Sequence, residues 1–273
     1  MRDEQKTEVL MDVAEGVATI TLNAPQRRNA LTPEMADAMI AAFDRADADE
    51  TVGAVVILGA GGHFCSGAEL GEAARMMANP LDPVVYDGTS RIYEAFVRAG
   101  HLKAPVIAAV RGAVVGAGMN LMLAADLRIV SRTARILSGF LRLGVHPGGG
   151  HMMLLAATTN PQAACAMALC SEEIDGDRAQ AIGLAWAAVD DALVQDHAMA
   201  LARKAASDPA LARATIRTLR ATAAEHHARW PQALQAERAT QLWSMKRAGE
   251  SRSNTNQPLR PPVSSVRNLK GNT

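Results

Sequence analysis

The sequence is poor in aromatic residues and in cysteine. Aromatic side chains make up only 3% of the 273 residues, so the core has to be built from alanine, valine, leucine, isoleucine and the thirteen methionines. The three cysteines, Cys65, Cys165 and Cys170, form no C-x-x-C pair, and their odd number argues against a disulfide framework. We therefore predict a reduced, cytoplasmic setting and no metal centre.

Long apolar runs and an excess of one charge are absent as well. No window of about eighteen residues is apolar and free of charge, which excludes a predicted membrane span. The first residues, M-R-D-E-Q-K-T-E, lack the apolar region of a signal peptide. Basic and acidic residues balance at 28 each, so the composition offers no basic surface for nucleic acid. We expect neither nucleic acid nor a membrane among the partners.

Strand and helix patterns alternate over the first two thirds of the chain. Alternating runs at 9–13 and 17–22 predict a hairpin, and β-branched runs at 52–58 and 106–110 predict buried parallel strands. Thr32 and the following Pro-Glu carry the signature of a helix start. Further strands are predicted at 127–130 and 186–189, and further helices at 89–98, 119–125, 161–169, 178–182, 192–206, 209–224 and 231–247.

This order of elements is typical of an α/β core followed by helices. We place the core at 1–190 and a helical oligomerisation region at 191–249. Residues 250–273 predict a loosely ordered basic tail, because they contain serine, asparagine and proline, four basic residues and hardly any acid. The stretch from 68 to 88 shows no clear pattern, and 112–118 is predicted as a turn.

Two small-residue turns, at 61–70 and 111–118, each lead from a predicted strand towards a helix. Such turns leave backbone N–H groups free at a helix N-terminus, where an oxyanion can bind. A dinucleotide site is an alternative for the second turn, but Leu121 stands where the third glycine of that fingerprint belongs. Taken alone, each turn could also be only a tight connection.

Five stretches resemble the ordered motifs of one family. They are 27–32 (R-R-N-A-L-T), 64–70 (F-C-S-G-A-E-L), 103–112 (K-A-P-V-I-A-A-V-R-G), 114–126 (V-V-G-A-G-M-N-L-M-L-A-A-D) and 143–150 (L-G-V-H-P-G-G-G). In this order they are similar to the motifs of the crotonase superfamily, which contains enoyl-CoA hydratases and isomerases. The resemblance implies a crotonase (ClpP-like) α/β fold of repeated β-β-α turns with a C-terminal helical trimerisation region. It further implies a homotrimer or a dimer of trimers.

The resemblance also implies an acyl-CoA thioester as substrate, with coenzyme A as part of it and no tightly bound cofactor. The backbone N–H groups of Ala68 and Ala117 fall at the positions of the family's oxyanion hole for a thioester enolate, although glycine is usual at the second position. The other positions carried over to substrate and CoA binding are Arg28, Ala30, Leu31, Ser66, Gly67, Gly116 and Phe140. Arg27 is an alternative to Arg28 for the phosphates, and a solvated loop is the alternative for both.

Two further positions depart from the family's pattern. Its pair of hydratase glutamates falls on Asn120 and Phe140. An amide cannot accept a proton as a general base, and a phenylalanine can only pack. Each positioned acid or base is worth about 10²–10⁴-fold in rate, so ordinary hydration is disfavoured. His146 can titrate near neutral pH and is the candidate proton shuttle, with a plain loop histidine as the alternative.

Other polar residues near the motifs are interpreted as structural. Glu69 is expected to stabilise a helix start and Asp126 to support the oxyanion helix. His151 is expected to cap a helix and His63 to lie at a loop surface. Tyr86 and Tyr93 fall in the stretch that covers the acyl pocket in the family and are expected to form a lid or to pack.

Two functions stay open at this point. The first is an acyl-CoA enzyme that uses the oxyanion hole without the glutamate pair, as an isomerase, a decarboxylase or another lyase. Decarboxylation fits the missing bases best, because loss of CO₂ generates the enolate directly. The second is a protein that binds acyl-CoA, or serves as a structural partner, without turnover.

Overall fold

The structure, a computed structural model, describes residues 7–223 and 225–255. Its strands are β1 (Val9–Ala14), β2 (Val17–Leu22), β3 (Ala54–Gly59), β4 (Val106–Val110), β5 (Ala113–Val115), β6 (Leu127–Ser131), β7 (Arg135–Leu137), β8 (Glu173–Ile174) and β9 (Ala187–Val189). Its helices are α1 (Pro33–Ala48), α2 (Leu70–Ala78), α3 (Pro83–Gly100), α4 (Ala117–Ala124), α5 (His151–Thr158), α6 (Pro161–Ala168), α7 (Gly176–Ala181), α8 (Val194–Ala206), α9 (Pro209–Ala223) and α10 (Glu225–Thr255).

The main sheet has six strands in the order β1-β2-β3-β4-β6-β9. The first pair is the predicted antiparallel hairpin, and the remaining pairs are parallel. In β4 every residue is buried, as expected for a central parallel strand that is covered on both faces. A second sheet has three short strands in the order β5-β7-β8. In the sequence, β5 follows β4 and β7 follows β6. The predicted α/β core is therefore confirmed.

Small and flexible side chains fill the core, as the composition predicts. On one face of the main sheet, α8 packs through Val194, Ala198 and Ala202, which follow one another at helical spacing and are fully buried. On the other face lies the larger cluster, in which methionines of α1 and α4 contact leucines and alanines of the neighbouring elements. This scaffold fixes the two loops that follow β3 and β4.

The structure differs from the sequence prediction between residues 68 and 118. The stretch without a clear pattern forms α2 and the first six residues of α3, because the side chains of Glu69 and Asp82 cap the two helix starts. Within the predicted turn at 112–118, the residues of β5 pair in parallel with β7. This strand was not predicted from the sequence because it is only three residues long and glycines flank it.

The last helix is longer than predicted and covers the core of its own chain. α10 continues to Thr255, so the predicted tail does not begin at residue 250; Arg252 fixes this end by donating to Leu143 O at 3.0 Å. Trp230 of α10 is fully buried, and a Cβ added at Gly100 would lie 2.5 Å from its ring. Residues 256–273 of the predicted tail lie outside the described residues. Trimerisation stays a prediction.

None of the helices in the described ranges combines the length and the hydropathy needed to cross a membrane.

Candidate active site

Two loops are joined by backbone hydrogen bonds at the edge of the core. Cys65 N donates to Ala113 O at 3.2 Å, and Val115 N donates to Cys65 O at 3.1 Å. His63 adds a third link, because its Nδ1 accepts from Ala113 N at 3.1 Å. His63 is thus half-buried between the loops. Its pKa is lowered, mainly by burial and to a lesser extent by the positive charge of Arg28. These links hold the two small-residue turns side by side.

Two backbone N–H groups are left free where the loops meet. Leu31 N donates to Gly67 O at 2.7 Å, and Glu69 N donates to Leu31 O at 2.9 Å. These two bonds form an isolated parallel β-bridge between Leu31 and Ala68 that uses the backbone groups of Gly67 and Glu69 but not the N–H of Ala68. Ala117 is the first residue of α4, where the helix offers its N–H no acceptor. Within the described part of the chain, neither Ala68 N nor Ala117 N donates to another protein group. Both can bind a ligand oxygen.

The free N–H groups face a cavity of about 400 Å³. Nine of the predicted site residues line it: Arg28, Ala30, Ser66, Gly67, Ala68, Gly116, Ala117, Asn120 and Phe140. Its apolar wall comes from Met76, Met77, Ile92, Leu143, Val145 and Met245, and its further polar residues include Thr89, Tyr93 and Gln241. Leu31 does not line it and contributes only through its backbone bonds to the first loop. The size and the apolar wall suit an acyl chain.

The two neighbouring arginines of the first motif have different surroundings. Arg27 forms an ion pair with Glu8 and donates from Nε to Ala30 O at 2.9 Å, and its bond to Glu8 raises its pKa. Arg28 is exposed, lines the cavity mouth and has no side-chain partner in the described ranges. The next residue, Asn29, is fully buried and donates to Ala60 O and His63 O, which ties this motif to the loop after β3. Arg28 is therefore the arginine available for a phosphate.

Asn120 is held at both ends of its amide. It is fully buried, its Nδ2 donates to Gly148 O at 2.7 Å, and its Oδ1 lies 2.6 Å from His151 Nδ1. His151 Nε2 in turn bonds the hydroxyl of Ser138. Burial lowers the pKa of His151 to about 3, so the ring is neutral and carries its proton on Nδ1, which donates to the amide oxygen. This chain of bonds fixes the amide at the cavity wall.

The two remaining residues of the predicted chemistry have distinct places. Phe140 lines the cavity and packs edge-on against the His151 ring, with centroids 4.9 Å apart. His146 does not line the cavity, although Val145 and Gly148 beside it do. Its Nδ1 is 2.6 Å from Pro147 O, and its backbone N donates to Ser244 Oγ. The cavity thus receives no imidazole from this loop.

The residues that we interpreted as structural support helices and strands. Glu69 Oε2 accepts from Gly71 N and Glu72 N at the start of α2, which confirms the predicted cap. Asp126 accepts from Val106 N at 2.7 Å and pairs with Arg220. Among the described residues, no group of three or more histidine, cysteine or acidic side chains is arranged to hold a metal ion.

Sequence reasoning missed three parts of the site. His151 was expected only to cap a helix, yet its ring is fully buried and bonds Asn120. Gln241 and Met245, which reach the cavity from α10, gave no signal because they lie about ninety residues beyond the last motif. Tyr93, predicted to form a lid or to pack, donates its hydroxyl to Gln241 Oε1 at 2.6 Å.

Comparison with known proteins assigns the chain to a protein family. The sequence profile of the enoyl-CoA hydratase/isomerase family matches residues 12–252. The chain belongs to this family. A crystal structure of an enoyl-CoA hydratase/isomerase from Xanthobacter autotrophicus Py2 superposes with a TM-score of 0.80 at 32% identity, covering 90% of this chain and 93% of that one. The crotonase fold is therefore confirmed.

Relatives with different reaction names share this family. The probable enoyl-CoA hydratase EchA14 of Mycobacterium tuberculosis (strain ATCC 25618 / H37Rv) is 41% identical over 79% of this chain and 82% of its own length. The 1,2-epoxyphenylacetyl-CoA isomerase of Escherichia coli (strain K12) is 34% identical over 74% of this chain and 77% of its own. Membership of the enoyl-CoA hydratase/isomerase family alone therefore does not fix the reaction.

Proposed function

We propose that this family member is an acyl-CoA lyase or isomerase that stabilises a thioester enolate between the N–H groups of Ala68 and Ala117. The observation that carries the proposal is the pair of free N–H groups on a 400 Å³ cavity with a neutral amide, Asn120, beside them. Preorganised donors of this kind are each worth about 10²–10³-fold in rate. Coenzyme A would arrive as part of the substrate, with its phosphates near Arg28, and no other cofactor is needed.

Ordinary hydration is not supported by the cavity. Among the described residues that line it, Glu69 is the only carboxylate, and its Oε2 already accepts from two backbone N–H groups of α2. Asn120 cannot accept a proton, and Phe140 carries no polar group. A hydratase needs a group to activate water and another to exchange a proton at the α-carbon.

Decarboxylation makes the fewest demands on these residues. When the bond between the α-carbon and a carboxylate breaks, its electron pair passes into the thioester as an enolate and CO₂ leaves. The enolate then takes a proton from water and becomes an acyl-CoA. The protein has to bind the thioester oxygen, which the two free N–H groups can do. It also has to orient the carboxylate, for which Asn120 offers an amide N–H besides the one that donates to Gly148 O. An isomerisation needs an added proton shuttle.

The test is incubation with thioesters that separate the reactions. Methylmalonyl-CoA, 2-hexenoyl-CoA and 3-hexenoyl-CoA are supplied separately, and the products are followed by mass spectrometry. We expect loss of CO₂ or a shift of the double bond to exceed water addition, and Asn120→Ala to lower that rate. Asn160→Asp, which preserves an exposed helix cap on α6, is the matched control. Water addition as the dominant reaction would refute the proposal.

A binding protein without turnover is the second candidate. It is favoured by the cavity wall, in which Glu69, the one carboxylate among the described lining residues, caps α2 and Asn120 is held by Gly148 O and His151. Tight binding of all three thioesters with no product would support this candidate. Absence of any thioester binding would contradict both.

A further inference from the structure

One buried side-chain amide in the cavity wall has an NH₂ group without a protein acceptor among the described residues. Gln241 of α10 is only 1% exposed and lines the cavity. Its Oε1 accepts from the Tyr93 hydroxyl at 2.6 Å. Within the described ranges its Nε2 donates to no protein group. A buried N–H without an acceptor costs free energy, so such a group in a cavity wall is a candidate for contact with a ligand.

The Nε2 group of Gln241 lies close to the residues of the candidate chemistry. A Cβ added at Gly148 would be 2.0 Å from Gln241 Nε2, and one added at Gly149 would be 2.5 Å from Asn120 Nδ2 and 3.1 Å from the Tyr93 ring. Asn120 Nδ2 already donates to Gly148 O. The two glycines therefore form a corner without side chains, around which the three polar groups gather. Asn120, Tyr93 and Gln241 all line the cavity, so a ligand that contacts Asn120 can also reach Gln241.

The charges around Gln241 favour an uncharged ligand group. Glu237 lies one helical turn earlier on α10, is buried and accepts from the backbone N–H groups of residues 150–152. Arg238 donates to Tyr86 O and Ser90 Oγ, and its guanidinium lies over the Tyr86 ring at 4.0 Å and over the Tyr93 ring at 5.4 Å. Burial raises the pKa of Tyr93 to about 12, so it stays a neutral hydroxyl. A carboxylate beside Gln241 would add a second negative charge on the same side of α10 as Glu237, while Arg238 already donates to two other groups.

We propose that the acyl group of the substrate carries an uncharged oxygen, in a hydroxyl, ketone or ether, that accepts a hydrogen bond from Gln241 Nε2. This inference rests on the proposed function, because it assumes that an acyl-CoA thioester occupies the cavity. In this arrangement the α-carbon lies at the end of the cavity formed by Ala117 and Asn120. The uncharged oxygen lies further along the acyl chain, towards Gln241. Gln241 would thereby select among acyl chains of similar length.

Binding of matched thioesters tests the selection. Hexanoyl-CoA is compared with 3-, 4- and 5-hydroxyhexanoyl-CoA by isothermal titration calorimetry. We expect at least one hydroxylated chain to bind wild type roughly 3- to 10-fold more tightly than hexanoyl-CoA, which is the usual worth of one hydrogen bond. Gln241→Leu should remove this preference while leaving hexanoyl-CoA binding within about 3-fold. Gln195→Leu, an exposed glutamine on α8, is the matched control.

The outcomes separate this inference from the proposed function. If hexanoyl-CoA binds but no hydroxylated chain is preferred, the selection by Gln241 is refuted and the proposed function stands. The selection is also refuted if Gln241→Leu retains the preference for a hydroxylated chain. If thermal unfolding shows that the leucine variant is not folded, Gln241→Met is used in its place. If none of the four thioesters binds, both proposals fail.

Discussion

His151 illustrates how a single buried side chain can determine the geometry of a site. Its neutral ring donates to Asn120 and accepts from Ser138, and Phe140 closes over one edge. A protonated ring would have to give up the bond from Ser138, because both nitrogens would then be donors. The orientation of the Asn120 amide is therefore linked to the protonation of a residue that does not itself line the cavity.

The stability of the protein should depend on pH through His151. Because burial lowers its pKa from 6.5 to about 3, the unfolded chain binds a proton below pH 6.5 that the folded chain does not. The stabilising effect of the neutral ring is complete above that pH and is lost as the pH falls. We expect His151→Gln to reduce the slope of unfolding free energy against pH by about 1.4 kcal/mol per unit between pH 6 and 4.

Urea unfolding at several pH values measures this slope. His197→Gln, at an exposed position on α8, is the matched control and should leave the slope nearly unchanged. An identical slope for wild type and the His151 variant would show that the ring is protonated in the folded state. The Asn120 amide would then be positioned differently.

Arg28 gives a second prediction at the residue scale. Its guanidinium is free within the described ranges and lies at the cavity mouth, while the neighbouring Arg27 is paired with Glu8. Arg28→Ala should weaken CoA-thioester binding about 3- to 10-fold, and this loss should shrink at high salt because the contact is exposed. Titration of hexanoyl-CoA at two salt concentrations measures both effects. Arg178→Ala, an exposed arginine lining no part of this cavity, serves as control, and equal affinities for the two variants would exclude the phosphate contact.

At the scale of elements, α10 closes the cavity because it approaches α2 closely. A Cβ added at Gly249 would lie 2.1 Å from Met77 O, so only glycine permits this contact. Met77 of α2 and Met245 of α10 line the cavity from the two sides of the contact. The packing of these helices therefore sets the width of the apolar wall.

Gly249→Ala should reverse the usual effect of such a change in a helix. Glycine to alanine within a helix normally stabilises by about 1 kcal/mol. Here the added methyl group would push α10 away from α2, and we expect a loss of about 1–3 kcal/mol in unfolding free energy. Chemical unfolding measures the effect, with Glu250→Ala at the next, exposed position as control. A stabilised Gly249 variant would mean that the two helices do not approach as described.

Elements were predictable where local signals dominate. The hairpin, β3 and β4 follow from β-branched runs, and α1 from its cap and its apolar spacing. β5 was missed because a strand of three residues between glycines has no pattern of its own. The length of α10 was underestimated because serine and asparagine suggested a tail, whereas Arg252 and Gly249 bind this end to the core through distant partners.

At the scale of the whole molecule, the site combines local and distant contributions. The two turns with free N–H groups could be read from the sequence, because each is contiguous and small-residue turns at helix starts have a known geometry. The partners of Asn120 and Tyr93 could not, since Gly148 is 28 residues from Asn120 and Gln241 is 148 residues from Tyr93. Only tertiary packing brings these groups together, and neither spacing nor periodicity encodes it.

Cys65 can report on whether this assembled site opens. It is fully buried between the two loops, its backbone bonds both Ala113 and Val115, and burial raises the pKa of its thiol to about 12. A Cβ added at Gly118 would lie 2.8 Å from its sulfur, so no reagent can approach from α4. Cys165 and Cys170 are exposed. Reaction of Cys65 therefore requires the loops to separate.

We expect two thiols to react with a disulfide reagent in the native protein and the third only after unfolding. Absorbance of the released thiolate counts them with and without denaturant. The variant with Cys165→Ser and Cys170→Ser should show no fast reaction when folded and one thiol when unfolded, which assigns the protected group to Cys65. In that variant, the slow rate should rise with denaturant in parallel with global unfolding, since the loops are part of one core. A fast third thiol in the native wild type would mean that the Ala68 and Ala117 turns separate readily, so the two N–H groups would not be preorganised for an oxyanion.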